Sequence, residues 1–292
     1  LKYDSTHGRF GLKVDVGHGA IKIDGHSVPL MNYSSSEHDF WRAQDVDLVI
    51  DCTGGELDRA AASQHLGGSV KRVLLSQPGS SDVDATIIWG LNQHVLTPSM
   101  TVVSAGSCTS NALMPILSIM DDALGINAGI VTTIHSAMND QPVIDAYHHT
   151  DLRKTRAAFN SVIPVETGLA QGVERFLPHL GEKIQARALR VPTLNVSSLD
   201  VVLAVDTATS AADVNRIIKE ASQSFSGVLS VNEEPLASCD FLGMDASCVV
   251  DITQTQVSGG QLIKLMLWFD NEWAFTNRMV DIAIAMSKFS DD

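Results

Sequence analysis

Between residues 46 and 75 a strand, a glycine turn, a helix and a second strand follow one another, and that order leaves few folds open to the chain. Val46-Asp47-Leu48-Val49-Ile50-Asp51 is a compact apolar run and Cys52-Thr53-Gly54-Gly55 is a turn. Residues 58–65 carry a helical pattern, and Val70-Lys71-Arg72-Val73-Leu74-Leu75 is a second buried strand. Parallel strands need a crossover of this kind. The stretch therefore predicts a βαβ unit of a doubly wound sheet, an architecture that receives ligands beyond the carboxyl ends of its strands. Thr53, Gly54 and Ser76 stand at those ends; ligand contact and plain turn chemistry both account for their residue types.

Upstream, Gly8, Gly11, Gly17, Gly19 and Gly25 punctuate residues such as Ala20-Ile21-Lys22-Ile23, which alternate like hairpin strands. Downstream, Met100-Thr101-Val102-Val103 reads as a strand, residues 104–111 as a small polar stretch and residues 112–120 as a helix. Longer alternating strands follow at Ile130-Val131-Thr132-Thr133-Ile134, Ala188-Leu189-Arg190-Val191 and Leu262-Ile263-Lys264-Leu265-Met266-Leu267-Trp268. Residues 211–224 predict a helix: Ser210 can cap it, Asp213 lies in its first turn, and Val214, Ile217, Ile218 and Ala221 share one face. This is a second, mixed α+β region. Asp270-Asn271-Glu272 opens a last helix whose apolar surface comes from Trp273, Met279, Val280, Ile282 and Ile284. A loop over residues 147–167 carries Arg153, Lys154 and Arg156 with little periodicity, and loops of that length are more often functional than decorative.

The formal charge of −14 argues against a nucleic-acid or anionic-membrane partner, so an anionic substrate must be held by individual Arg, hydroxyl and backbone donors. Cys52, Cys108, Cys239 and Cys248 show no CxxC spacing, which suits a reducing cytoplasm better than secretion or a structural zinc. No signal peptide and no apolar run of about 18 residues is visible. The chain opens on Leu1, not Met, and reads as though it began inside a domain.

The stretch Ser104-Ala105-Gly106-Ser107-Cys108-Thr109-Ser110-Asn111 runs from a strand into a helix and puts Cys108 near the helix start. Unpaired backbone N–H groups and the dipole there favour a thiolate, so Cys108 is a candidate nucleophile; a small buried core cysteine is the other reading. His135 ends the strand that follows. A neutral imidazole beside a cysteine can take its proton and act as acid or base on a carbonyl substrate, although a strand-end histidine is also an ordinary polar residue.

Four motifs occur in order: Ser-Cys-Thr-Ser-Asn at 107–111, Thr-Thr-Ile-His at 132–135, Arg-Val-Pro-Thr at 190–193 and Trp-Phe-Asp-Asn-Glu-Trp at 268–273. Together they resemble the phosphorylated-aldehyde dehydrogenases typified by glyceraldehyde-3-phosphate dehydrogenase, from Leu1 to about residue 287. Within that family, residues 134–141 and 143–148 look most like the branch that oxidises D-erythrose 4-phosphate. The resemblance implies an α/β fold with an incomplete, Rossmann-like doubly wound parallel sheet and an α+β catalytic domain with a large mixed sheet. The implied boundaries are residues 1–107 with 271–292 for NAD binding and 108–270 for catalysis.

By the same resemblance Cys108 attacks the aldehyde, His135 moves the proton as hydride leaves for NAD, and the Cys108 backbone N–H holds the oxyanion. Ser107, Thr109, Thr167, Gly168, Arg153 and Arg190 are the implied substrate contacts, the two arginines meeting phosphate; a surface ion pair is the other reading of each arginine. Asn271 orients the nicotinamide, with Thr53 and Ser76 lining the cofactor cleft. The implied assembly is a cytoplasmic homotetramer with residues 147–167 near a subunit contact, and the implied role is supply of a pyridoxal phosphate precursor.

Departures from the family pattern shape two alternatives. Met138 and Asp140 stand where phosphorylating members carry hydroxyls, and a carboxylate is poor company for a second phosphate, which favours water as acyl acceptor over inorganic phosphate. Phosphorylating glyceraldehyde-3-phosphate dehydrogenase activity is the alternative reaction. The family's opening Gly-x-Gly-x-x-Gly turn and its acidic partner, about 40 residues in all, are not in the sequence, and no arginine stands near Tyr33, where the family often has one. The alternative of another class is a truncated, noncatalytic homologue acting as a subunit or binding protein. Ala105-Gly106 and Ala274 are smaller departures.

Overall fold

The structure, a computed structural model, describes residues 1–31, 41, 44–55, 58–148 and 151–290; the expectation at Tyr33 lies outside the described residues. β1 (Tyr3–Asp4) and β2 (Gly8–Arg9) pair antiparallel, and β3 (Val14–Gly17), β4 (Ala20–Ile23) and β5 (His26–Pro29) form the antiparallel meander that the glycine punctuation predicts. β6 (Leu48–Asp51), α1 (Arg59–Ser63) and β7 (Arg72–Leu75) then make the βαβ unit, with Leu48 beside Arg72 and Asp51 beside Leu75. Asp58 starts α1 by accepting a hydrogen bond from the Ala61 amide at 2.7 Å. β8 (Ala85–Thr86) and β9 (Val102–Ser104) complete a wholly parallel sheet in the order β6-β7-β9-β8.

The chain continues through α2 (Cys108–Leu124), β10 (Ile126–His135), β11 (Ile163–Val165), α3 (Leu169–Phe176) and β12 (Ile184–Arg190). It ends with β13 (Ser197–Val205), α4 (Ala211–Ser222), β14 (Leu229–Asn232), β15 (Cys248–Asp251), β16 (Gln256–Ser258), β17 (Leu262–Phe269) and α5 (Trp273–Ser287). Eight of these strands form a mixed sheet in the order β11-β12-β10-β13-β17-β15-β14, with β16 pairing β17. β10 runs parallel to β12 and antiparallel to β13, so the sheet is mixed at its centre. The α/β class with two sheets agrees with the sequence reading.

Alternation along β7 and β9 shows why the parallel sheet is doubly wound. Val73, Leu75 and Val102 pack with Ala62 of α1 on one face, whereas Leu74 and Val103 pack with Met279, Ile282 and Met286 of α5 on the other. In the second sheet Val131, Leu199, Val201, Leu203, Ile263, Leu265 and Leu267 face a core that includes Leu113, Met114, Leu117 and Met120 of α2 and Val214 and Ile218 of α4. α2 is buried on nearly every side because it lies inside this core rather than on its surface.

Three expectations need correcting. α2 starts at Cys108, four residues before Ala112, because Ser107 caps it and buried Asn111 pins its first turn; the poor helix propensity of Ser, Thr and Asn is overridden by those contacts. The loop over 147–167 is not structureless at its end: Ile163–Val165 pairs antiparallel with β12 as an edge strand. Of the apolar residues in the last helix, Met279 and Ile282 are buried, but Trp273, Val280 and Ile284 are about half exposed.

Candidate active site

Strand, turn and helix converge on Cys108. β9 ends at Ser104, whose Oγ accepts from the amides of Gly79 and Gly106 at 3.0 Å each and donates to the Gln77 carbonyl at 2.7 Å. The backbone then turns through Gly106 at φ +70°, where a Cβ would lie 3.0 Å from the tip of Ile88. Asn111 Nδ2 ties back to the carbonyls of Ala105 and Ser107 at 2.9 Å, and Ser107 Oγ accepts from the Ser110 amide at 3.0 Å. Cys108 is thereby fixed as the first residue of α2, at the carboxyl edge of the parallel sheet.

His135 and Arg190 are the last residues of β10 and β12, and the parallel register sets them side by side. Two motifs 55 positions apart thus become neighbours. His135 Nε2 lies 3.7 Å from Cys108 Sγ, and Thr109 Oγ1 lies 3.8 Å from the same sulfur. The other ring nitrogen, Nδ1, is 2.9 Å from the Ser136 carbonyl and 2.6 Å from Arg190 Nη1. Phe269 meets the imidazole edge to face, with 6.2 Å between ring centroids, and holds its plane.

Burial opposes the thiolate that the helix start favours. Burial pushes the Cys108 thiol up, more than the Thr109 side chain and amide, the Arg190 charge and its own amide pull it down. Burial, then the neighbouring Arg190 charge, lowers His135 to about 4, against the Ser136 carbonyl and Asp140, which act the other way. Both shifts come chiefly from burial, which opposes charge on the sulfur and on the imidazole alike. The helix start is present, but desolvation outweighs it.

Ser107, Thr109, Thr167 and Gly168 line one cavity of about 420 Å³ beside Cys108. Thr167 Oγ1 accepts from the Leu169 amide at 3.2 Å at the start of α3, and two turns along that helix Arg175 reaches into the same cavity wall, donating to the Gly79 carbonyl at 3.0 Å. Arg175 was not singled out by the sequence; its place seven residues after Gly168 on one helix face is a signal only once α3 is recognised. Arg153 stands apart. Its side chain is exposed and no described contact joins it to Cys108, His135 or Arg190, whereas its neighbour Lys154 pairs with Asp140 at 3.0 Å.

The residues expected to meet the cofactor include two along the same sheet edge. Thr53 follows β6 and Ser76 follows β7, adjacent strands; the Thr53 hydroxyl donates to Asp51 at 2.7 Å and the Ser76 amide to the Asp51 carbonyl at 2.9 Å. Asn271 Oδ1 accepts from Ser136 Oγ at 2.9 Å and Ser197 Oγ at 2.8 Å. Those two hydroxyls fix the amide orientation and leave Nδ2 as the end that can meet a ligand, which fits a carboxamide oxygen. Ser136 and Ser197 were also missed by the sequence reading, since only the sheet register brings them together. Among the described residues no helix is long and apolar enough to cross a membrane.

Compared with models of known families, residues 107–271 match the glyceraldehyde 3-phosphate dehydrogenase C-terminal domain, and residues 1–59 match the glyceraldehyde 3-phosphate dehydrogenase NAD binding domain.

Proposed function

We propose that this chain, which belongs to the glyceraldehyde 3-phosphate dehydrogenase family and has NAD as its cofactor, oxidises D-erythrose 4-phosphate to 4-phosphoerythronate. The observation that carries this reading is the 3.7 Å approach of Cys108 Sγ to His135 Nε2, with the chain neighbours of Cys108, Ser107 and Thr109, lining a hydroxyl-rich cavity. His135 takes the thiol proton as sulfur adds to the aldehyde carbon and hands it to the oxygen, which the Cys108 backbone N–H stabilises while it carries charge, so that a hemithioacetal hydroxyl and a neutral imidazole result. His135 next removes the hydroxyl proton of the hemithioacetal, and water cleaves the thioester left on Cys108. NAD, when bound, supplies the hydride acceptor, with Asn271, Thr53 and Ser76 as the residues that would hold it.

Arg190, Arg153, Ser107, Thr109, Thr167 and Gly168 are the proposed substrate contacts. Asp140, clamped by Lys154 and close enough to Arg190 and His135 to influence both charges, supports water rather than phosphate as acyl acceptor. A second reading, phosphorylating glyceraldehyde-3-phosphate dehydrogenase, is favoured by one feature: the cavity beside Cys108 includes Arg175, a cation that could hold inorganic phosphate. Following NADH formation separates the two. Equal rates with and without inorganic phosphate, and faster turnover of erythrose 4-phosphate than of the triose, are expected; strict phosphate dependence with triose preference would replace the first reading by the second.

We further propose a cytoplasmic homotetramer, with residues 1–107 and 271–292 as its cofactor domain and 108–270 as its catalytic domain. The four free cysteines suit a reducing compartment. Exposed Val143, Ile144, Tyr147, Leu152, Phe159 and Val162, all in or beside the long loop, support a subunit contact there.

A further inference from the structure

Asp270 is a carboxylate whose side chain is wholly buried, at the turn that carries Asn271. Its Oδ1 accepts from the Glu272 amide at 3.0 Å, the Trp273 amide at 2.8 Å and Asn195 Nδ2 at 2.7 Å, and its Oδ2 accepts from the Gly243 amide at 2.9 Å. Burial pushes this carboxyl up, but those four donors together outweigh it and hold the group below its ordinary value. One more donor comes from the other end of the chain: His7 Nε2 lies 3.1 Å from Oδ2. An ionised carboxylate only accepts, so His7 supplies the proton of that bond.

His7 is aimed by its own turn. Asp4 Oδ1 accepts from the amides of Thr6 and His7 at 2.7 Å each, closing the corner between β1 and β2, and Trp273 lies against the imidazole with 5.6 Å between ring centroids. Nδ1 faces Asp4 and Glu272 at 3.7 Å each, and among the described residues no Lys or Arg pairs with Asp270. Beside the ring is a cavity of about 340 Å³ lined by His7, Glu272, Trp273, Thr276, Asn277 and Val280, so the imidazole is held by these contacts and is not wedged in place by packing.

We propose that His7 is a positioning residue for NAD: from the N-terminal ribbon it fixes the Asp270 carboxylate, and through it the turn on which Asn271 meets the nicotinamide carboxamide. This rests on the reading above that Asn271 makes that contact. Ser136 and Ser197 hold the Asn271 side chain, whereas its backbone is set by the two amides that follow it, those of Glu272 and Trp273, both bound to Asp270 Oδ1. Without His7 the Oδ2 end keeps the Gly243 amide as its donor, and the carboxylate is free to tilt and carry the turn with it. The effect is confined to the nicotinamide end of the cofactor. Thr53 and Ser76, the other residues expected along it, hydrogen-bond to Asp51 and not to Asp270.

ADP-ribose, which is NAD without its nicotinamide, separates this role from a general loss of structure. Titration calorimetry of the full chain is expected to show NAD binding more tightly than ADP-ribose. In His7→Ala the affinity for NAD is expected to fall about tenfold while that for ADP-ribose is unchanged. His7→Gln, whose side-chain amide still donates to Asp270, is expected to stay within about twofold of wild type for both ligands. His7→Phe keeps a ring against Trp273 but lacks the donor; it is expected to behave as His7→Ala and decides the matter where His7→Ala does not fold. Equal weakening of both ligands, or of neither, in these donor-less variants would overturn the proposal. Asn271→Ala tests the reading beneath it: loss of the preference for NAD there but not in His7→Ala or His7→Phe rejects the role of His7 alone, whereas a preference that survives Asn271→Ala rejects Asn271 as the nicotinamide contact. A wild-type chain that binds NAD no more tightly than ADP-ribose overturns both.

Discussion

Acid reaches this site through His135 before it reaches Cys108. His135 is buried and holds its proton only below about pH 4, whereas in the unfolded chain it takes one near the ordinary value of 6.5. Between those values the unfolded state binds the extra proton, so stability falls as pH drops through the window from 6.5 to about 4 and is unaffected by this residue above it. The full difference is on the order of 3 kcal/mol. His135→Gln is expected to flatten that part of the stability profile, measured by denaturant titration at several pH values; an unchanged slope would mean that the ring is solvated. The residues named from sequence, Cys108, His135 and Arg190, are those that short motifs carry. The pairing of Lys154 with Asp140, the reach of Arg175 and the contact of Arg190 with His135 depend on distant segments meeting, and no local pattern encodes them.

At the scale of elements, the turn between β9 and α2 decides where the sulfur sits. Gly106 occupies the left-handed region, which costs other residues about 1–2 kcal/mol, and an added Cβ also presses on Ile88 at 3.0 Å. Gly106→Ala is therefore expected to lower stability by about that amount and, because Cys108 follows two residues later, to slow NADH formation more than it weakens substrate binding. Unfolding midpoints and steady-state kinetics together test this; a variant with native stability and turnover would show that α2, not the turn, positions the nucleophile. Alternation and glycine punctuation made β6, α1, β7, β10, β17 and α4 legible in advance. The first turn of α2 and the strand β11 were not, since Ser-Cys-Thr-Ser has weak helix propensity and Ile163–Val165 is too short to show a period; partners elsewhere in the chain impose both.

Across the whole molecule α2 starts just beyond the end of β9, so Cys108 stands between the parallel sheet and His135 at the end of β10. The surface raises a separate question. Tyr147 is 90% exposed and Leu152 84% exposed, and they share their loop with Phe159 and Val162, a concentration of apolar side chains that a solitary chain would present to water. Motifs named the chemistry of this protein but not that surface, because apolar residues without periodicity read equally as core or contact until burial is known. If the loop is a subunit contact, a carboxylate at its centre places an unpaired charge in the interface, and the formal charge of −14 on each chain adds repulsion. Leu152→Asp is then expected to shift sedimentation from an assembled species to a smaller one without changing the far-UV spectrum. Val16→Asp, an equally exposed apolar position in the N-terminal meander, serves as the control and keeps the assembled mass. Wild-type protein that sediments as a single chain, or a Leu152→Asp variant with the wild-type mass, would remove the loop from any role in assembly.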